Sequence, residues 1–270
     1  MKVRKSAPDR NRKNEGSGDG KVQSKLAVPG IGARLEALRM DLFSVSDYPL
    51  ETLASIIREV GFSCDRCTMC CTKEFNDHVF LLDADTTEIR KIEPRALIPA
   101  PYFELCDQNG RFYDSGYALR TKQDGACFFL DGDRCRIYAD RLSICRIYPY
   151  MLHREPDEDG IVDWRQISGL NRHGTYHNDI PVDESLTIAR EVKAYEIAFL
   201  EQTIRFYEFL HDHFAENGLR HVRKVYDDRM RAFRNGGEIE VFVLHNRRLE
   251  QWRMRGTEAF PIDRIEEPAG

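Results

Sequence analysis

Seven cysteines in two short blocks constrain this chain more than any other feature of its sequence. The first block, GFSCDRCTMCCTKEF (61–75), places four cysteines close together, and the second, GACFFLDGDRCRIYADRLSICRIYP (125–149), carries three more. The clustered cysteines are Cys64, Cys67, Cys70, Cys71, Cys127, Cys135 and Cys145. An eighth, Cys106, stands alone on a predicted strand, and we expect it to be a buried thiol.

The spacing of these cysteines favours metal binding over disulfide formation. Cysteine makes up about 3% of the chain, well below the ~8–10% of disulfide-stapled proteins. Adjacent Cys70 and Cys71 can hardly bridge each other without strain, and the N-terminal sequence lacks the apolar region of a secretory signal. We therefore expect a cytoplasmic, reducing environment, where clustered thiols more often bind metal. A redox-active dithiol is the main alternative.

The first block has a spacing at which thiolates converge. Two residues between successive cysteines let Cys64, Cys67 and Cys70 turn towards one centre, with a fourth ligand from elsewhere. Position 74 is glutamate, which excludes the ferredoxin pattern. Adjacent side chains diverge, so Cys71 is a poor fourth ligand, and we expect that ligand in the second block. Seven thiols suit one four-ligand site, two linked sites or an iron–sulfur cluster, and both iron and zinc stay open.

The two blocks together carry a longer pattern. They read Cys-x2-Cys-x2-Cys-Cys, then Gly-x-Cys-x-Phe-Leu, Cys-x-Ile-Tyr-x-x-Arg and Cys-Arg-x-Tyr-Pro. This order resembles the YkgJ-type cysteine-cluster family, whose members are described as zinc- or iron-chelating. The matching residues are Cys64, Cys67, Cys70, Cys71, Gly125, Cys127, Phe129, Leu130, Cys135, Ile137, Tyr138, Arg141, Cys145, Arg146, Tyr148 and Pro149. The chain departs at Leu142, where the family has proline.

The resemblance implies a metal centre, which is either an iron–sulfur cluster, of [4Fe–4S] type, or zinc. We expect an intracellular metal-binding protein with a redox or cluster-dependent enzymatic role, acting with an unidentified protein or redox partner. A structural zinc module in a protein-binding scaffold is one alternative. A cysteine cluster of this kind also occurs in flagellin lysine N-methylase, so a protein lysine N-methylase-like enzyme is the other. No catalytic residue is predicted, and enzymatic activity stays open.

The predicted fold class is α+β, with a small, irregular, metal-organised cysteine module flanked by helices and followed by a long C-terminal helical segment. Residues 1–29 are basic and almost without apolar side chains, which predicts a disordered tail. Leading helices occupy 30–60, and the cysteine-cluster metal-binding domain spans 61–165. Residues 166–270 are predicted to be mainly helical with a late strand.

Local patterns place individual elements along the chain. Apolar periodicity predicts a long helix over 184–214, which would be kinked or shared because it is long for a compact domain. Asn109-Gly110 lies between alternating runs and predicts a hairpin. The other predicted elements are a helix from Ile31, a helix over 49–60 ended by Gly61, a strand at 78–83, a helix over 85–94 starting at Asp85 or Thr86, a hairpin within 148–165, a helix over 220–234 and a strand at 238–245.

Residues near the cysteines have two readings each. Arg141 and Arg146 either offset thiolate charge or pair with nearby aspartates. We expect Tyr138, Tyr148 and Pro149 to wall the site off from water rather than to react. His173 and His177 have ligand spacing for a helix, but Gly174 and Thr175 argue against a helix there. A net charge of −5 gives no sign of nucleic-acid binding, and no apolar run of about 18 residues could span a membrane.

Overall fold

The computed structural model describes residues 30–73, 78–101, 103, 105–150, 155, 156, 162, 163 and 172–262. The predicted tail 1–29 lies outside these residues. Within them the fold is α+β, as predicted. The helices are α1 (Ile31–Asp47), α2 (Leu50–Val60), α3 (Asp83–Ile92), α4 (Ser143–Ile147), α5 (Val182–Glu216) and α6 (Arg223–Arg234).

The strands are short in the cysteine region and long at the C-terminal end. They are β1 (Phe80–Leu81), β2 (Leu97–Pro99), β3 (Leu105–Cys106), β4 (Arg111–Asp114), β5 (Tyr117–Leu119), β6 (Leu130–Asp131), β7 (Arg134–Cys135), β8 (Glu155–Pro156), β9 (Val162–Asp163), β10 (Glu238–His245), β11 (Arg248–Arg255) and β12 (Glu258–Pro261). They form a three-stranded sheet in the order β1-β5-β2, a five-stranded sheet in the order β12-β11-β10-β4-β3, and the hairpins β6-β7 and β8-β9. The cysteine region therefore contributes strands to both larger sheets.

The five-stranded sheet joins parts of the chain that are far apart in sequence. β3 and β4 form the predicted hairpin around Asn109-Gly110, with Gly110 at a φ of 87°. β10 lies at its predicted residues and pairs in parallel with β4, aligning Glu240 with Arg111. This pairing crosses the predicted boundary between residues 165 and 166, because the C-terminal segment completes a sheet that the cysteine region begins.

Two C-terminal strands were not predicted from the sequence. β11 and β12 extend the sheet beyond β10. The tight turn between β10 and β11 has Asn246 and Arg247 at positive φ, 49° and 63°, which is the geometry of a type I′ hairpin. Arginine stands where glycine is usual in such a turn, and the strands carry many charged residues, so the sequence pattern is weak.

The helix α5 connects two hydrophobic cores. At 35 residues it is about 52 Å long, and α1 and α2 both pack along it. Its N-terminal half, with Val192 and Tyr195, lies in a core shared with α2 and the sheets. Its C-terminal half, with Leu200 and Leu210, lies in a second core with α1. The helix is therefore shared between two cores.

Candidate metal centre

The first cysteine block starts from a fixed backbone position. Gly61 ends α2 in the left-handed region, with a φ of 53°. A Cβ here would lie 2.4 Å from the carbonyl oxygen of Asn178, so the close approach requires glycine. Ser63 then pairs with Thr175 through reciprocal backbone hydrogen bonds of 2.8 and 3.0 Å. The cysteine loop is thereby anchored against residues 175–178.

Within the loop the backbone turns sharply. The Asp65 carboxylate accepts a 3.0 Å hydrogen bond from the Cys67 backbone N–H. Arg66 and Thr68 have φ values of 61° and 65°, and positive φ is rare for a β-branched residue such as threonine. A 3₁₀ turn over Met69–Cys71 follows. These constraints decide where the thiols and the Arg66 side chain point.

The two cysteine blocks meet through their backbones. The Cys127 N–H donates a 2.7 Å hydrogen bond to the carbonyl oxygen of Cys71, and the Lys73 N–H donates a 3.0 Å bond to Gly125. Thr72 and Ala126 form an antiparallel bridge between these bonds. Cys71 is therefore the cysteine of the first block that is joined directly to the second.

Two short elements position the remaining cysteines. The β6–β7 hairpin pairs Cys135 with Leu130. Cys145 lies on α4, where the Asp85 carboxylate oxygen Oδ1 accepts hydrogen bonds of 3.0 Å from both the backbone N–H and the hydroxyl of Ser143. The sequence predicted that Asp85 or Thr86 starts α3, but α3 starts at Asp83. Asp85 instead caps a helix that lies far away in sequence, a role that no local pattern could have indicated.

Six of the seven clustered cysteines line one cavity of about 590 Å³. They are Cys64, Cys70, Cys71, Cys127, Cys135 and Cys145. Cys67 is exposed and does not line the cavity. Cys106 is fully buried on β3, as predicted. The structure therefore gathers thiols from both blocks around a single space.

Comparison with known proteins identifies this region. Residues 63–168 match a family model described as "CxxCxxCC: Putative zinc- or iron-chelating domain". We refer to residues 63–168, which match this family model, as the CxxCxxCC domain. The resemblance inferred from the cysteine pattern is thus confirmed, and chelation of zinc or iron is the function that the family description gives. No curated protein and no solved structure matches the chain. No helix in the described part of the chain is long and apolar enough to cross a membrane.

Four thiols of the CxxCxxCC domain interact electrostatically with one another. Burial raises the pKa of Cys145, and Cys127, Cys71 and Cys135 raise it further. Burial likewise raises the pKa of Cys127 to about 11, with contributions from Cys71 and Cys135, and Cys71 also raises the pKa of Cys135. Each pair among these four thiols is therefore coupled electrostatically. We call Cys71, Cys127, Cys135 and Cys145 the inner thiols.

Cys70 lies beside the inner thiols. A hydrogen bond between the Cys71 thiol and Cys70, together with burial, raises the pKa of Cys71. The sequence analysis expected adjacent side chains to diverge, but the 3₁₀ turn brings these two thiols together. With their protons in place the thiols form a neutral, half-buried cluster, and a metal ion must displace those protons to bind.

The donor set and its arrangement limit the group that fits. Thiolates are the preferred ligands of iron–sulfur clusters and of structural zinc. A zinc ion with Zn–S bonds of about 2.3 Å requires sulfur atoms about 3.8 Å apart. Within the described residues no three or more Cys, His, Asp or Glu side chains are arranged to hold a metal ion. The thiols therefore suit a metal centre by chemistry, but the described side chains do not form a closed metal site.

Arginine and tyrosine side chains form the rim of the cavity. The guanidinium carbon of Arg141 lies 4.3 Å from the ring centroid of Tyr138, and that of Arg66 lies 4.9 Å from it. Arg141 also lowers the pKa of Cys71 and Cys135. Of the two roles predicted for Arg141, its effect on these two thiols favours the one in which it offsets thiolate charge. Arg146 is exposed.

A tyrosine–histidine pair forms another wall. The Tyr148 hydroxyl lies 2.5 Å from Nε2 of His173, and the two rings stack with centroids 5.4 Å apart. Burial lowers the pKa of His173. The segment around Gly174 and Thr175 is not helical, as predicted, so His173 and His177 do not share a helix face. His173 lies outside the family match and closes the cavity through Tyr148.

Proposed function

We propose that the CxxCxxCC domain holds an iron–sulfur cluster of [4Fe–4S] type and uses it in a redox or cluster-dependent enzymatic role. The observation that most supports this proposal is the cavity of about 590 Å³ that six thiols from both cysteine blocks line. Thiolate ligands that surround a space suit a polynuclear cluster, whose iron atoms are each bound by one cysteine.

The inner thiols are the best-supported ligand set. They number four, they come from both blocks, and each pair is close enough to influence a pKa. The backbone hydrogen bond between Cys127 and Cys71 fixes the two blocks relative to each other. Cys70 lies next to this set, while Cys64 and Cys67 are exposed. Cys71 rather than Cys64 or Cys67 is then the ligand from the first block.

The arrangement favours iron–sulfur over a single zinc ion. A structural zinc site is closed, with four donors converging on one point. The cavity is larger than such a site needs. A single zinc ion would use four of the seven clustered cysteines as ligands and would leave three unused.

The surrounding residues can tune such a centre and protect it. Arg141 lies near the thiols of Cys71 and Cys135, and a positive charge there stabilises the more negative, reduced form of a centre. Phe129, Leu142 and Ile144 exclude water from the inner side of the cavity. A bound cluster would supply one-electron transfer, with the exposed loop of Cys64 as the open side towards a redox partner.

Metal analysis of anaerobically purified protein tests the proposal. We expect about four irons and matching acid-labile sulfide per chain, with a broad visible absorption that a reductant bleaches. One or two zinc ions with no visible absorption would contradict the proposal and support a structural zinc module. A variant with all four inner thiols replaced by serine is the control for adventitious iron, because it keeps Cys64, Cys67 and Cys70.

A further inference from the structure

The cavity in front of the thiols has the properties of a small-molecule site. Its volume of about 590 Å³ falls within the roughly 300–1,000 Å³ that ligand pockets occupy. Apart from the cysteines, much of its wall is apolar. These apolar residues are Val79, Leu119, Phe129, Ile137, Leu142 and Ile144. The proposed cluster would take the part of this volume next to the thiols, and a ligand with a small apolar body would fit in the remainder, against the apolar wall.

The rim brings two positive charges to one aromatic ring. Arg66 and Arg141 lie 4.9 and 4.3 Å from the Tyr138 ring centroid, and since these distances add, their guanidinium carbons lie no more than about 9 Å apart. Within the described part of the chain neither guanidinium group forms an ion pair with a carboxylate. Two like charges held this close repel each other, and an anion placed between them would relieve that repulsion.

We propose that this cavity binds a small organic anion, with its apolar body against the inner wall and its acidic group at Arg66 and Arg141. Guanidinium groups bind carboxylate and phosphate oxygens by charge-assisted hydrogen bonds, which makes either acidic group suitable. The inference rests on the proposed function, since the bound anion would lie against the metal centre and act as its substrate or effector.

The other charges of the rim have partners within the protein. Asp133 pairs with Arg134 at 3.8 Å. Asp65 accepts the hydrogen bond from the Cys67 backbone. Arg141 also lowers the pKa of the Cys71 and Cys135 thiols. Arg66 is therefore a rim cation that forms no ion pair with a carboxylate of the described chain.

Calorimetric titration of the anaerobically purified, metal-loaded chain tests this inference. The probes are phenylacetate for a carboxylate, phenyl phosphate for a phosphate and phenylacetamide for a neutral molecule of the same shape. We expect one equivalent of at least one anion to bind, and phenylacetamide to bind at least tenfold more weakly. Whichever anion binds more tightly identifies the acidic group.

Rim variants assign the binding to this site. Arg66→Gln should weaken anion binding at least tenfold, and Arg66→Lys should restore part of it. Arg234→Gln removes the same charge from an exposed position on α6, away from the cavity, and should bind like the unmodified chain. Tyr138→Ala provides a second variant, because it removes the ring over which both guanidinium groups lie.

The outcomes separate this inference from the proposed function. Iron content and the visible spectrum are measured for every sample. If iron and sulfide are present but no anion binds, or if the amide binds as tightly as the anions, the anion site is wrong while the cluster stands. If Arg66→Gln and Tyr138→Ala both bind anions as the unmodified chain does, the site is elsewhere. Anion binding without iron would contradict the cluster alone.

Discussion

At the scale of single residues, Cys71 distinguishes the ligand set indicated by the structure from the one indicated by sequence spacing. Cys71→Ser should lower metal affinity at least about tenfold, because it removes an inner thiol, and even indirect partners of metal sites contribute that much. Cys64→Ser should retain most of the metal, since Cys64 is exposed and outside the inner set. The measurement is iron content after competition with a chelator.

Cys106→Ser is the control for these cysteine variants, because Cys106 is buried in another part of the protein. It should leave the iron content unchanged. If Cys71→Ser and Cys64→Ser lose equal amounts of iron, the inner thiols are not the ligand set. The thiols of the first block would then converge on one metal centre, as their spacing predicts.

The protons of the inner thiols make the free energy of unfolding of the metal-free chain depend on pH, and bound metal should remove this dependence. Burial raises the pKa of Cys127 to about 11 in the folded, metal-free chain, above the ordinary thiol value of about 8.5. The folded state therefore holds this proton more tightly than the unfolded state, and its contribution to stability is complete below about pH 8.5 and is lost as the pH rises through about 11. Between these values the free energy of unfolding should fall by up to about 1.4 kcal/mol per pH unit for this thiol.

Thermal unfolding of metal-free and metal-loaded samples between pH 7 and about 10 measures this effect. The melting temperature of the metal-free chain should fall more steeply with pH than that of the loaded chain, whose thiolates are already without protons. Cys106 also has a raised pKa, about 12, but it contributes equally to both samples. Parallel pH profiles would show that the inner thiols do not bind the metal.

At the scale of secondary-structure elements, the junction of α2 with the cysteine loop depends on Gly61. Gly61→Ala adds the strain of a left-handed alanine, about 1–2 kcal/mol, and places a Cβ 2.4 Å from the Asn178 carbonyl oxygen. Gly256→Ala is a matched control, because Gly256 has a φ of 57° and open space around it. In denaturant unfolding, Gly61→Ala should cost at least about 1 kcal/mol more than Gly256→Ala. Equal costs would mean that the loop does not need this close approach.

The cap of α4 is a second element that acts on the metal centre. Asp85→Ala removes the acceptor of two hydrogen bonds from Ser143 and should destabilise the fold by about 1–3 kcal/mol. Because α4 carries Cys145, this variant should also lose metal to a chelator faster. Asp85→Asn keeps an acceptor oxygen. Its stability and its rate of metal loss should lie between those of the unmodified chain and of Asp85→Ala. If Asp85→Ala retains all of its metal, the cap of α4 does not position Cys145 for metal binding.

At the scale of the whole molecule, the CxxCxxCC domain shares its sheet and core with the rest of the chain. β4 pairs with β10, and the core around Phe112 and Phe129 continues into α2, α5 and β10. A fragment of residues 61–165 should therefore not fold, with or without metal, because it lacks these partners. Circular dichroism and amide-proton dispersion of the fragment, compared with the full chain, measure this. A well-dispersed spectrum of the fragment with metal would show an independent domain.

The sequence by itself determined the elements whose causes are local. Apolar periodicity indicated α5, glycine after α2 indicated its end, and Asn109-Gly110 indicated the β3–β4 hairpin. The cysteine pattern identified the chelating domain, because ligand chemistry depends on residue type and spacing, which the sequence states directly.

Only the tertiary structure decided which of these residues meet. The pairing of Cys71 with Cys127 depends on a bridge between two loops, and the cap of α4 comes from Asp85 on α3. Strands β11 and β12 have a weak local pattern, because their turn is Asn246-Arg247 and their outer faces are charged. They are identified as strands by the pairing of β11 with β10 and with β12. Contacts between distant residues are set by the packing of the whole chain, and a local pattern carries no information about them.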